Sequence, residues 1–192
     1  MEKKFFFLLN IFIIYLLSFN NANADLKKKL INKIISTQTL SFNFDQKIGD
    51  KHELGKCLIK YPLLMRCDYK SKKKKIIISN GKSVAIIKKK YKKIYRYPIK
   101  ITPLFIILDK QKILKLVRQN KPILLNSNLV SFEGMTKKGG KLAILFNKDS
   151  LEFMGWKTKD AYSNDVNFMI KNLVTNKIFE DSVFKIPKLE DL

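Results

Sequence analysis

Between Leu40 and Pro98 apolar and polar side chains alternate in six short runs, LSFNFDQKI, GKCLIKYP, LLMRCDYK, KIIIS, KSVAIIK and KIYRYP, each closed by turn residues. A period of two sends every apolar side chain to one face of a sheet, and this pattern predicts an antiparallel meander. Asn80-Gly81, between the fourth and fifth runs, is expected to supply the two positive-φ residues of a tight hairpin. The alternation resumes at Asn128 as NLVSFEGMT, KLAILFN, LEFMGWKTKD, DVNFMIKNL and VFKIP, with turns at Lys138-Gly139-Gly140 and Asn147-Lys148-Asp149. That predicts five more strands. About eleven antiparallel strands are too many to stay flat, so twist should curl them into an incomplete barrel.

A sheet with one apolar face needs cover, and two segments offer it. DLKKKLINKIIS carries Leu26, Leu30, Ile31, Ile34 and Ile35 at helical spacing with lysines opposite, which reads as a first helix of about three turns. TPLFIILD offers Thr102 as a cap and Pro103 for the first turn of a short lid helix over 103–108. The segment 110–119 fits neither period and either continues that helix or begins a strand. The expected fold is therefore mainly β (α+β): one curled antiparallel sheet, an incomplete barrel closed by an N-terminal helix and a short central lid helix.

The first residues read as an address. Lys3 and Lys4 precede an apolar stretch from Phe5 to Phe19, and Ala22-Asn23-Ala24 supplies a signal-peptidase site, so 1–24 is expected to be removed and Asp25 to begin the mature chain. The stretch is short for a membrane span, which needs about 20 apolar residues. No Cys follows the cleavage site to carry a lipid anchor. The expectation is a soluble, exported, monomeric protein whose residues 25–192 form one domain.

The mature chain carries a formal charge of +22, and of the whole chain's basic residues 36 are Lys and three are Arg. Reading bases favours the bidentate fork of Arg, and export removes nucleic acid as an everyday partner, so none is expected. Two readings of the charge stand together. Lys solvates a sheet's outer face and blunts its edges, and it also attracts anionic phospholipid surfaces or acidic proteins.

Groups for catalysis are scarce. The one histidine, His52, falls in the polar GDKHE stretch, read as an exposed connection, and no G-x-S-x-G, G-x-G-x-x-G or P-loop occurs. One His and two Cys do not fit common zinc-ligand spacing, so no catalytic residue, metal or cofactor is expected. Cys57 and Cys67 lie symmetrically about Pro62, so a hairpin centred there brings them face to face. Either they form a disulfide, as an oxidising compartment favours, or they are two small buried side chains.

The order of these parts resembles the LolA family of periplasmic lipoprotein carriers. The residues that carry the likeness are Phe42, Phe44 and Gln46, then Gly55 through Pro62, then Met65, Arg66 and Tyr69. Ser79, Asn80, Gly81 and Lys82 follow, with Pro103 to Leu108, Trp156, and Phe184 with Pro187. The resemblance implies a cavity that shields the acyl chains of lipoproteins received from the inner-membrane Lol ABC transporter and passed to the outer-membrane acceptor LolB or an equivalent. On that likeness, Leu30, Ile34, Phe42, Phe44, Leu104, Ile107 and Trp156 are the expected cavity and lid residues. One departure stands out. The family's strand-ending Arg-Pro, whose Arg latches the lid, is here Tyr61-Pro62, leaving Tyr61, or Arg66 if it points inward, as latch candidates. The alternatives are a lipid-binding sensor of the RseB kind on the same fold, and an exported basic protein that binds polyanions or membrane surfaces.

Overall fold

The computed structural model of the chain describes residues 24–136, 139–160 and 162–192. The expected signal peptide lies outside the described residues apart from Ala24, as does Lys138 of the expected glycine turn. A helix over 24–36, α1, precedes the meander β1 (Thr39–Ile48), β2 (Lys51–Lys60), β3 (Leu64–Tyr69), β4 (Lys75–Asn80), β5 (Ser83–Lys88) and β6 (Lys93–Pro98). Two short helices follow, α2 (Leu104–Ile107) and α3 (Lys110–Gln119), then β7 (Ile123–Leu124), β8 (Leu129–Met135), β9 (Lys141–Asn147), β10 (Phe153–Lys159) and β11 (Asp165–Thr175).

All eleven strands form one antiparallel sheet in the order β6-β5-β4-β3-β2-β1-β11-β10-β9-β8-β7. β1 pairs with β11 as well as with β2, and this joins the two meanders. β6 and β7 remain as edges, so the barrel is open, as the strand count implied. Alternation sorts the faces. Leu40, Phe42 and Phe44 of β1, Cys57 and Ile59 of β2, and Met65, Cys67 and Tyr69 of β3 are buried on the inner face, together with residues of all three helices.

Several local expectations are corrected. VFKIP is not a strand: Asp181–Phe184 is a 3-10 turn, and the eleventh strand is the two-residue β7. The chain after the turn crosses the outer face, where Ile186 and Leu192 pack on Ile76, Ile78, Ala85 and Ile87. Asp181 pairs with Lys60 at 2.6 Å, and Arg96 donates to the Pro187 carbonyl. Asn80 does not take positive φ; only Gly81 does, at 89°, and the Asn80 carboxamide oxygen accepts from the Lys82 and Ser83 amides. Thr102 does not cap the lid, because its hydroxyl donates back to Ile99 at 2.8 Å. The ambiguous segment 110–119 is a separate helix, begun by the Asp109 carboxylate accepting from the Gln111 amide at 2.9 Å.

His52 is a residue of β2 rather than of a loop, and it bonds to the Asp45 carboxylate. Hydrogen bonds from Lys171 and then from His52 hold the Asp45 carboxyl below its usual range, so β1, β2 and β11 share one charge cluster. Ile35 is 49% exposed, because the inward stripe of α1 runs through Leu26, Leu30 and Ile34 and position 35 falls beside it.

Cys57 and Cys67 are direct cross-strand partners, 4.1 Å apart at Cα and bonded to each other. The bridge closes a hairpin with a sequence separation of 10 that includes the cis Tyr61-Pro62 bond. In the chain-entropy account a loop this short contributes about 2–3 kcal/mol. The Cys57→Ser, Cys67→Ser double variant is expected to lose that much in urea unfolding, and an unchanged midpoint would show that the strands hold the hairpin unaided.

Candidate functional site: an apolar interior beneath a helical lid

The inner face carries a row of aromatic rings that crosses the sheet from β3 to β8. Tyr69 of β3 meets Phe44 of β1 at 4.8 Å between centroids, and Phe44 stacks on Phe168 of β11 at 4.7 Å. Phe168 stacks on Trp156 of β10 at 3.9 Å with planes 9° apart, consistent with their direct cross-strand pairing. The row continues through Phe153 and Phe146 to Phe132 of β8, at spacings of 6.0, 5.8 and 6.2 Å. Phe42 joins it edge-on against Phe168.

β2 lies between Tyr69 and Phe44 yet contributes no ring. Gly55 takes that place, and a Cβ there would stand 2.5 Å from the Phe44 ring and 2.4 Å from the Asp68 carbonyl oxygen. The missing side chain is what lets Phe44 reach across β2. Gln46 ends the row on its polar side, its carboxamide oxygen accepting from the Tyr69 hydroxyl at 2.7 Å. Lys75 caps the Tyr69 ring at 3.7 Å and is held by Glu53 at 2.6 Å. Burial pushes the Tyr69 hydroxyl well above its ordinary range, with the Glu53 charge adding to this, and burial draws Lys75 down against the opposing pull of Glu53.

Three short helices lie over this floor. Leu30 and Ile34 of α1, Ile107 of α2 with Leu108 after it, and Ile113, Leu114 and Val117 of α3 are buried in the same apolar cluster as Phe42, Phe44 and Trp156. Leu104 is half-buried and packs at its margin. The residues expected at the cavity and lid thus converge. The expected cavity residues do not include Tyr69 or Gly55, which enter only through the family likeness, nor Phe132, Phe146, Phe153 and Phe168. Alternation puts each of them on the inner face, but register, which sets who stacks on whom, lies outside any one segment.

The space left inside is small. A gap of about 30 Å³ remains between α1, α3 and the sheet, with Ile34, Leu40, Tyr61, Ile113 and Phe153 in its wall. On the other side of the lid a groove of about 470 Å³ runs between α2, α3 and the end of β8, floored by Phe105, Ile106, Leu116 and Met135 and edged by Lys100, Lys112 and Lys115.

The latch candidates part company. Arg66 lies on the outer face of β3, where its guanidinium makes two bonds to Asp68, at 2.9 and 3.1 Å, so it does not reach the lid. Tyr61 faces the small gap, and burial pushes its hydroxyl far above its ordinary range. The bonds that hold the lid lie elsewhere. Leu63, at φ 67° in the β2–β3 turn, donates its amide to the Leu108 carbonyl at 2.8 Å, and the Ser79 hydroxyl donates to the Leu63 carbonyl at 2.6 Å. Lys110 ties α3 to the end of α1 through the Gln38 carboxamide oxygen at 3.0 Å and the Ile35 carbonyl at 3.2 Å, and Lys27 of α1 donates to the Arg118 carbonyl at 2.7 Å. Burial lowers the Lys110 pKa. Among the described residues no group of three or more His, Cys, Asp or Glu stands close enough to hold a metal, and no helix is long and apolar enough to cross a membrane.

An open antiparallel sheet curls round an apolar interior, and three helices roof it. The profile of the outer membrane lipoprotein carrier protein LolA matches residues 35–187, and the chain belongs to that family, whose fold is that of a lipid and lipoprotein carrier. Among solved structures the chain is similar to an uncharacterized conserved protein from Thermus thermophilus, at 11% identity and a TM-score of 0.50, covering 86% of this chain and 94% of that one. It is also similar to a LolA superfamily protein from Nitrosomonas europaea, at 8% identity and a TM-score of 0.47 over 85% and 97% of the two chains. A DUF1329 family protein from Desulfovibrio piger follows at 12% identity and 0.45 over 86% and 96%. No curated protein matches the chain in sequence.

Two measurements probe this geometry. Gly55→Val is expected to destabilise the fold by about 1–3 kcal/mol or more, since both the Phe44 ring and a backbone carbonyl must give way. Far-ultraviolet and aromatic circular dichroism during urea unfolding would report it. Lys110→Met is expected to raise amide exchange in the first turn of α3, whereas Tyr61→Phe should leave it unchanged. The reverse order would return the latch to position 61.

Proposed function

We propose that this chain is a periplasmic lipoprotein carrier: it takes lipoproteins released by an inner-membrane ABC transporter of the Lol type, encloses their acyl chains, and delivers them to an outer-membrane acceptor. The observation that carries the reading is the combination of a continuous aromatic floor with a roof of three separate short helices tied down by a few hydrogen bonds. Each methylene removed from water contributes about 0.8 kcal/mol, so acyl chains cross an aqueous space only inside an apolar host. A gap of about 30 Å³ holds none of them. Loading therefore requires α2 and α3 to lift from the sheet, and the apolar surface they leave becomes the wall that meets the acyl chains.

This arrangement also explains release. Closing the lid restores contacts between Ile107, Leu108, Ile113 and the floor, so the empty protein regains burial that cargo had replaced, and binding stays reversible. One backbone bond, from Leu63 to Leu108, and the Lys110 bonds oppose opening. The neutral backbone bond contributes about 1 kcal/mol, and a hydrogen bond from a charged donor such as the Lys110 ammonium about 1.5–3 kcal/mol before its exposure to solvent is discounted. The chemistry at the site is burial and exposure of apolar surface, with no bond made or broken.

A fluorescent fatty acyl probe tests the site directly. Trp156 is buried between Phe153 and Phe168, so insertion of a chain along the aromatic row should quench or shift its emission. Leu104→Asp, which charges the lid's margin but leaves the fully buried core intact, is expected to weaken probe uptake at least about 10-fold, in line with burying one unpaired carboxylate. Undiminished uptake in that variant would take the lid out of the binding site.

A further inference from the structure

No acidic residue occurs between Tyr69 and Leu108, a stretch that carries 12 Lys and Arg96. The topology gathers most of that charge at one place. β3 and β5 run in the same direction, so the β3–β4 and β5–β6 connections emerge at the same end of the sheet, and the Lys89 amide bonds to the Lys74 carbonyl between them. Lys70, Lys72, Lys73 and Lys74 of one connection, Lys89, Lys90 and Lys92 of the other, and Lys93 at the start of β6 are all exposed. Among the described residues none of the eight enters an ion pair. Lys74 and Lys92 occupy left-handed backbone, at φ 45° and 46°, where Gly or Asn is favoured. Tyr91 stands among them 48% exposed, and Tyr95 and Tyr97 continue along the free edge of β6 at 40% and 44%.

Edge protection does not account for this. A charge or two along β6 would blunt the edge, whereas seven of these eight lysines sit beyond the paired strands, in the connections, and only Lys93 opens β6. Lys snorkels and Tyr settles at the headgroup level of a bilayer, and this pairing of residue types marks an interfacial anchor. The end in question lies opposite the β2–β3 turn, where Leu63 fastens Leu108, so a protein held by it leaves that fastening free.

We propose that the two-loop tip formed by residues 70–74 and 88–93 docks the protein on anionic phospholipid membranes, with the lysines meeting lipid phosphates and the Tyr91 ring entering the headgroup layer. The attraction is electrostatic and ranges over about one Debye length, so it recruits the protein to a surface without specifying cargo. It does not rest on what the interior carries.

The test is co-sedimentation of the full mature chain with vesicles of phosphatidylglycerol and phosphatidylcholine, against vesicles of phosphatidylcholine alone. Binding is expected only to the anionic vesicles, falling steeply as ionic strength rises to about 1 M, where the Debye length is about 3 Å. Lys89→Gln, Lys90→Gln, Lys92→Gln and Lys93→Gln together should weaken partitioning about 100-fold or more, at roughly fivefold per lysine. Lys121→Gln, Lys141→Gln, Lys148→Gln and Lys177→Gln, an equal loss of charge on exposed residues away from the tip, should weaken it far less. Tyr91→Ser should remove the binding that persists at high salt. Equal losses in the two quadruple variants would overturn the proposal in favour of diffuse charge. Absence of binding to anionic vesicles, with retention on an immobilised acidic peptide that the tip variant abolishes, would overturn it in favour of an acidic protein partner. Circular dichroism verifies that each variant is folded, and the acyl-probe signal of Trp156 in the tip variant separates this failure from a failure of the carrier reading.

Discussion

Alternation leaves this sheet with an apolar inner face running from β3 to β8, and most of the rest of the structure answers the need to cover it. A barrel would bury that face by closing on itself. Here the edges β6 and β7 stay apart, so the cover must come from helices, and the sequence supplies only short ones. The aromatic row gives the floor its shape: rings are wide and stiff, and their stacking across β3, β1, β11, β10, β9 and β8 fixes a surface onto which Leu30, Ile34, Ile107 and Ile113 fit. Gly55 is the single position where the sheet withholds a side chain so that the row can continue.

Floor and roof differ in how firmly they are built. The floor is tied by continuous strand pairing, by the β1–β11 junction, by the Cys57–Cys67 bridge and by the Tyr69–Gln46 bond. The roof is one helical turn in α2, three turns in α3, and bonds to α1 that run through lysine side chains and backbone carbonyls. Elements with few fixing bonds open at lower free energy than the sheet beneath them. That contrast lets one part of the protein move while the other keeps its form. With Arg66 turned outward to Asp68, the charged group that fastens the lid of this chain is Lys110, which also lies over the Tyr61 ring, and the Leu63–Leu108 backbone bond acts beside it.

Much of this was legible in the sequence, because burial on one face leaves a period of two that survives in a single chain. The six strands of the first meander, the cross-strand position of Cys57 and Cys67, and the inward side of Phe42, Phe44 and Trp156 follow from it, while the helical spacing of Leu30 and Ile34 and the apolar lid segment holding Ile107 give the cover they meet. VFKIP alternates as a strand would, yet its apolar side chains find cover on the outer face of β4 and β5 instead of pairing. β7 is two residues long, below what a period can reveal. Thr102 and Asn80 have the side chains that cap and turn, but their bonds go to Ile99 and to Lys82 and Ser83 because the local chain path offers those partners. The lid's fastenings were illegible for another reason: Lys110 to Gln38 and Leu63 to Leu108 join residues distant in sequence, and nothing in either segment names its partner.

The central claim is that the aromatic-floored interior opens to hold the acyl chains of a lipoprotein. Native mass spectrometry of the mature protein recovered from a periplasmic extract addresses it without assuming the cargo. The account predicts a complex with a triacylated polypeptide, present in the native protein and lost from Leu104→Asp. A protein that leaves the periplasm with no acylated species, under conditions that preserve other lipid complexes, would contradict it.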